Sequence, residues 1–530
     1  MWLVPRWLPF HPGKLWCHCR MVYLPMCYVY CKRFVPDVAG DPVLLALRTE
    51  LFLEDYDSVR WDDFRQTCAD IDEYSPLQPV MKVAQDFLSV YERILPHFSL
   101  LQQLRKRALD FCIQYIHAED KQTNYVDIGP VNKALNMLSV WIDGGMNSED
   151  DKFQRHLPRI DDYLWVAEDG LKMQGYNGSQ CWDTSFAIQA IVEGGLAVKF
   201  PDCARKIYSY LDRTQIASDE DDRELYYRHV SKGGWPFSTA AHGWPISDCT
   251  AEGLKGVLAL HIAGNVIPLN QRISDDRLKD AVNVILTLHN PDGGWATYEN
   301  NRGYRWYEML NPSEVFGDIM IDYSYVECTS ACITALKHFS EALPDHRSAE
   351  VLNAIQAGRY FMKSIQRPDG SWYGSWGVCF TYGTWFGIEG LLAAGESVDS
   401  DCIQRAVKFL LSKQNPNGGW GESYLACVNK AYPPDGCGQI GEDSSGVVQT
   451  AWALLGLLAA YQSGSGSRGG EKKAIDRGLA FIMRKQLPSG DWAQEAITGV
   501  FNRSCGITYT AYRNVFPLWA LARYANKFEI

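Results

Sequence analysis

Residues 406–420 read A-V-K-F-L-L-S-K-Q-N-P-N-G-G-W, from Ala406 to Trp420. Apolar positions recur at helical spacing up to Gln414. Pro416 and the Gly418-Gly419 pair then stop the helix, and Trp420 follows at once. The pattern returns as A-G-R-Y-F-M-K-S-I-Q-R-P-D-G-S-W from Ala357 to Trp372, and as G-L-A-F-I-M-R-K-Q-L-P-S-G-D-W from Gly478 to Trp492. A further copy ends at Gly293-Gly294-Trp295, with His289 where the others have Gln. Coincidental turns would not keep Gln, Gly and Trp at one spacing. The Gln amide is expected to bind backbone groups freed at the helix stop. The Trp is expected to cover that amide and pack on the next helix. Between the copies the chain is helical, as in the Ala- and Leu-rich run from Val447 to Tyr461. Repeated helix pairs that cannot bury their apolar faces alone stack into curved or closed arrays. The expected fold class is all-α, a barrel of helix pairs.

The 530 residues are 46% hydrophobic and 13% aromatic, enough for a large apolar interior. A net charge of −12 argues against a nucleic-acid partner. Sixteen scattered cysteines read as thiols in a reducing compartment rather than a disulfide framework. Cys17-His18-Cys19 lacks a matching second pair, so neither a metal nor a cofactor is expected. No stretch approaches the roughly 18 apolar residues of a spanning helix. The aromatic run from Met21 to Tyr30 is core, or rests in one leaflet of a membrane. Loops are expected at 144–152, 219–223, 433–445 and 463–473, the last a Ser/Gly-rich linker. A boundary near residue 170 separates a segment without the repeat from one that carries it.

The stretch Ser247-Asp248-Cys249-Thr250-Ala251-Glu252 follows Gly243-Trp244-Pro245. An Asp at a helix start is by itself most often a cap. Here the carboxyl has a thiol neighbour and lies in a region crowded with aromatic rings. An acid with few charged neighbours and many π faces suits a reaction that makes a carbocation by protonation and shields it from water.

With these motifs the chain resembles the oxidosqualene cyclases, which fold 2,3-oxidosqualene into sterol or triterpene skeletons. The resemblance is carried by Asp248 to Glu252, the Gln/Gly/Trp repeats, Trp16-Cys17-His18-Cys19-Arg20 and the segment from Phe380 to Phe386, and it runs over essentially the whole chain. It implies two α/α-barrel domains with the active site between them. Residues 1–169 would be the remainder of an inserted barrel, and 170–530 the catalytic barrel. It implies Asp248 as proton donor, with Cys249 and Cys328 donating hydrogen bonds to its carboxyl group. Trp182, Phe237, Tyr298, Phe316, Trp376 and Phe501 would be cation-stabilising faces, joined by Trp16 from the other domain. His18 and Tyr509 are implied near the final deprotonation. Tyr176, His242 and Ile246 are similar to the steering residues of the cycloartenol-forming members.

The same resemblance implies an apolar substrate, no cofactor and a monotopic seat on the cytosolic face of the endoplasmic reticulum or a lipid droplet. Ala241, Cys31 and a long 433–445 loop depart from the family pattern and suggest a diverged plant paralogue making another triterpene. The chain begins inside that pattern, so a sizeable N-terminal portion is expected upstream, and the 530 residues alone are expected to be poorly soluble and inactive. An inactive truncated product is one competing reading. A prenyltransferase β-subunit would need a zinc set, and a squalene–hopene cyclase would favour a D-x-D-D acid motif, absent around Asp248.

Overall fold

A computed structural model describes residues 3–64, 67–94, 98–167, 170–433, 444–462 and 469–529. The first part holds helices α1 (Cys17–Lys32), α2 (Pro42–Leu51), α3 (Pro79–Ile94), α4 (Ser99–Gln122), α5 (Pro130–Asp143) and α6 (Asp151–His156), then a hairpin of β1 (Leu164–Ala167) and β2 (Gly170–Met173). Next come α7 (Gln180–Glu193), α8 (Leu196–Lys199), α9 (Pro201–Thr214), α10 (Ser247–Ile262), α11 (Asp275–Thr287), α12 (Val326–Ala342) and α13 (Ser348–Ser364). The chain continues through α14 (Phe380–Ala393), α15 (Asp401–Ser412), α16 (Leu425–Asn429), α17 (Val447–Ala460) and α18 (Gly469–Lys485). It ends with a hairpin of β3 (Gly499–Phe501) and β4 (Cys505–Ile507), and with α19 (Tyr512–Phe528).

The helices α7, α10, α12, α14, α17 and α19 touch in that order, and α19 returns to α7, so they close a ring. Helices α9, α11, α13, α15 and α18 alternate with them on the outside. The division follows from sequence. Inner α17 is apolar nearly all round, and all but one of its residues are buried, as expected for a helix with neighbours on every side. Outer α15 buries only the face bearing Ile403, Val407 and Leu410. The expected all-α barrel of helix pairs is the observed one.

The repeat supplies the joints. Gln366 Nε2 donates to Gly370 O in its own turn (3.0 Å) and to Cys402 O in the next outer helix (2.8 Å). Gln414 does the same to Gly418 O and Ala474 O, both at 2.8 Å. The Trp rings do pack on the next helix, Trp372 against Gly387 of α14, and they have a second use. Their indole N–H groups point back along the outer helix: Trp372 to Met362 O, Trp420 to Leu410 O, Trp492 to Ile482 O and Trp295 to Ile285 O. Each binds a carbonyl in the last turns of its helix, where Leu410 O and Ile285 O also accept a backbone N–H. His289 does stack against its Trp295, at 4.3 Å between centroids. One copy was hidden. Gln215 donates to Gly233 O and Arg277 O, and Trp235 Nε1 to Leu211 O, but residues 216–232 are inserted between the Gln and the Gly pair.

In the first part, α1 packs on α4 and α5. Asp120, Asp127, Lys133 and His156 form a buried polar cluster beside them. Helices α2 and α3 bury none of their residues. Two loop expectations need correction: 151–156 is helical, and α18 already begins at Gly469. Residues 434–443 and 463–468, which carry most of the long loop and of the Ser/Gly linker, lie outside the described residues.

Inner helices approach the Trp rings closely. A methyl group built on Gly387 of α14 would fall inside the Trp372 ring. Gly387→Ala is therefore expected to destabilise the protein by roughly 1–3 kcal/mol through overpacking, seen as a lower midpoint in denaturant unfolding.

Candidate active site

The first turns of three inner helices, α7, α10 and α19, meet around an apolar pocket. Its walls are Tyr176, Trp182, Phe237, Ile246, Asp248, Thr297, Tyr298, Trp376, Val500, Phe501, Ile507, Tyr509 and Tyr512. Trp182 comes from the first turn of α7, Asp248 from that of α10 and Tyr512 from that of α19. The rest stand on loops and on the β3–β4 hairpin.

Buried hydrogen bonds hold these ledges. Trp182 N–H donates to Phe237 O at 3.1 Å, and its indole N–H to Tyr512 Oη at 2.6 Å. The Asp322 carboxylate accepts the backbone N–H groups of Thr297, Tyr298 and Glu299 and the Thr297 hydroxyl, and so sets the Tyr298 ledge. Val500 N–H donates to Trp376 O at 3.1 Å, joining the strand of Phe501 to the loop of Trp376. Arg20 of α1 binds both oxygens of Glu299, at 2.7 and 3.0 Å, and so fixes α1 against the same ledge.

Among the described residues of the pocket wall, Asp248 is the only carboxylate. Its Oδ1 accepts the Cys249 backbone N–H at 2.8 Å, and its Oδ2 accepts the Cys328 thiol at 3.4 Å. Burial pushes its pKa up from 3.8 to about 6, while the bonds from Cys328 and Cys249 pull the other way. Desolvation disfavours the anion; the donors and the N-terminal end of α10 favour it. The group is thus held protonated more readily than a free Asp, yet its conjugate base already has partners. Glu252, one turn further along α10, is buried and bonded to Gln189 (2.7 Å) and Lys255 (2.9 Å).

The remaining expected residues form a second layer or join the wall. His18 meets Tyr298 edge-on at 5.0 Å and Phe501 at 5.1 Å. Trp16 stacks on Phe501 at 5.9 Å, and Phe316 meets Phe501 edge-on at 6.2 Å. His242 stands behind Tyr176, at 5.7 Å. Burial lowers the pKa of both His18 and His242 to about 3, so the two imidazoles are neutral. Trp16, His18, Phe316, His242, Cys249 and Cys328 do not line the pocket directly. Thr297, Val500, Ile507 and Tyr512 do, and sequence reasoning missed them. Only Tyr512 had a signal, its spacing of one helical turn from Tyr509.

Two other polar sites deserve comparison. A cavity of about 900 Å³ occupies the opposite end of the ring, lined by Glu193, Glu252, Lys255, His338, Glu389 and Arg523 among others. It is larger than the aromatic pocket, and its lining mixes these charged groups with apolar ones such as Phe186, Leu258, Trp385 and Leu392. Asp120, Asp127 and His156 bring three ligand atoms within 4.8 Å of one another. Lys133 Nζ already lies 2.8 Å from His156 Nδ1 and 3.7 Å from Asp127 Oδ2, so an ammonium group supplies the positive charge there.

Models of the squalene-hopene cyclase N-terminal and C-terminal domains match residues 1–169 and 178–526. A cycloartenol synthase from Dictyostelium discoideum is 49% identical over 524 residues, covering 99% of this chain and 71% of that protein. A lanosterol synthase from Mus musculus is 47% identical over 533 residues, covering 99% and 69%. An alpha-onocerin synthase from Lycopodium clavatum is 38% identical over 529 residues, covering 99% and 67%. Among solved structures, an ent-copalyl diphosphate synthase from Streptomyces platensis aligns over 74% of this chain and 58% of that one at 16% identity, with a TM-score of 0.48.

The raised Asp248 pKa has a measurable consequence. The folded state holds this proton more tightly than the unfolded chain, so the contribution to stability is full below pH 4 and is lost as pH rises through about 6. Asp248→Asn removes the titration. Relative to the parent protein it should gain on the order of 2–3 kcal/mol between pH 4 and pH 8, read from urea unfolding at the two pH values.

Proposed function

Because this chain belongs to the oxidosqualene cyclase family, we propose that it converts 2,3-oxidosqualene to a tetracyclic sterol precursor of the cycloartenol type. The observation that carries the reading is one protonatable carboxyl group, Asp248, in a pocket otherwise walled by rings and apolar groups. In this reading Asp248 gives its proton to the epoxide oxygen. The C–O bond opens as the neighbouring double bond attacks the carbon. The carboxylate left behind keeps the Cys328 thiol and the Cys249 N–H as donors, so charge separation is met by groups already in place.

The cation then moves along the folded polyene as rings close. Trp182, Phe237, Tyr298, Trp376 and Phe501 offer it π faces worth about 0.5–2 kcal/mol each, with Phe316 and Trp16 backing Phe501. Neutral His18 and His242 do not repel it. His18 Nε2 is buried without a hydrogen-bond partner, which supports a place for it near the last deprotonation. Even a weak base suffices against a carbocation, and Tyr509 stands across the pocket as the second candidate. Ile246 and Tyr176 shape the wall where the product is decided, and His242 supports Tyr176. The free space in the pocket is about 50 Å³, so the rings must part to admit a long polyene.

The reading extends to the setting of the reaction. Among the described residues no helix is long and apolar enough to cross a membrane. Leu45, Leu47 and Leu51 of α2 and Val83, Phe87 and Val90 of α3 are exposed, which supports a monotopic seat on the cytosolic face of the endoplasmic reticulum or a lipid droplet. The same reading divides the chain near residue 170 into the remainder of an inserted barrel and the catalytic barrel. The departures at Ala241 and Cys31 favour a second product reading, a plant-type paralogue making another triterpene.

Expression in yeast lacking its own cyclase, followed by mass spectrometry and NMR of the sterol fraction, tests the reading. Any cyclic product that the parent protein forms is expected to vanish in Asp248→Asn. The rate should fall as pH rises above about 6, where the donor loses its proton. Ile246→Val should shift product ratios by about 1–3 kcal/mol, the value of one methylene in a pocket wall. An active Asp248→Asn variant would remove Asp248 from its role.

A further inference from the structure

We propose that Glu327 is a positioning residue of the cyclisation, fixing the Trp376 ring relative to the proton donor. The inference rests on the cyclase reading above. Glu327 and Cys328 are consecutive in the first turn of α12, and they reach in two directions. The Cys328 thiol donates to Asp248 Oδ2 at 3.4 Å. Glu327 Oε1 accepts the backbone N–H groups of Ser375 at 2.5 Å and Trp376 at 3.0 Å. One dipeptide on one rigid helix therefore sets both the acid and the ledge that carries a cation-stabilising ring.

The ledge carries more than Trp376. Val378 N–H donates to Thr498 O at 2.8 Å, and Val500 N–H to Trp376 O at 3.1 Å. The strand that ends in Phe501 hangs from the same loop, and the Trp376 and Phe501 rings lie 5.8 Å apart. Moving Ser375 and Trp376 moves both rings. Glu327 is wholly buried, and its other oxygen, Oε2, has no hydrogen-bond partner. A buried carboxyl with one oxygen unsatisfied is a costly way to fill space. It is a good way to hold two adjacent N–H groups that no secondary-structure partner claims. Burial raises its pKa to about 7, so it need not carry a full charge beside the acid.

A cation over a ring loses stabilisation as the ring withdraws, so a loosened ledge should let the cation lose a proton or meet water before all rings have closed. The test compares Glu327→Gln and Glu327→Asp in the full chain with 2,3-oxidosqualene, reading total substrate consumed and the share of incompletely cyclised products. Gln keeps the reach and an oxygen acceptor but no charge. Asp keeps the charge but is one methylene too short to hold both N–H groups. The expected result is a rise of about tenfold in early-terminated products for Glu327→Asp, a near-parental profile for Glu327→Gln, and little change in substrate consumption for either. The reverse order would assign Glu327 an electrostatic role and overturn the proposal, as would parental profiles from both variants with native-like unfolding. Parental protein that yields no cyclic product would instead sink the cyclase reading itself.

Discussion

In the proposed mechanism the carboxyl group of Asp248 must be acidic enough to open an epoxide and yet buried enough to keep water from the cation it creates. These demands oppose each other, because burial weakens an acid. The protein reconciles them by geometry. The carboxyl group sits in the first turn of a helix, where the peptide dipoles favour an anion, and two donors from neighbouring backbone and thiol groups already face it. Much of the rest of the architecture serves this arrangement. A closed ring of helices brings several first turns to one place, and the Gln/Gly/Trp joints hold that ring together.

The aromatic ledges depend on carboxylates that do no chemistry of their own. Asp322 organises three successive N–H groups around Tyr298, and Glu422 accepts the N–H groups of Cys379, Phe380 and Thr381 at the start of α14. Helix α14 has no side-chain cap of its own, so a residue from a distant loop closes its open end. Buried carboxyl groups are thus used as scaffolding outside the pocket wall, while the described wall itself has a single one. In the proposed reaction a cation in transit meets rings, alkyl groups and the Thr297 side chain, with neutral imidazoles behind them.

How much of this was legible in the chain depended on whether a feature was local. The Gln/Gly/Trp motif is local: helix, stop and ring lie within about fifteen residues, and the barrel of helix pairs followed from it. The copy built on Gln215 escaped because an insertion broke its spacing, although the contacts survive. Asp248 and its aromatic company were legible as a motif. Val500 and Ile507 were not, because a small hairpin between the last outer and inner helices puts them in the wall, and ordinary aliphatic residues there carry no mark. Glu327 and Asp322 were invisible for a different reason. Each holds a backbone segment far along the chain, 49 residues away for Trp376 and 24 for Tyr298, and backbone partners leave no trace in side-chain patterns.

The two ends of the helical ring differ in kind. One gathers rings and apolar groups around a single carboxyl group; the other is a wider cavity crossed by the Arg523, Glu193 and Glu389 ion pairs. The free space in the aromatic pocket is about 50 Å³, while a fused-ring product is rigid and broader than the flexible chain it is made from. Letting such a body out asks more of the walls than letting its precursor in, which makes unloading, rather than bond formation, the natural bottleneck of each turnover.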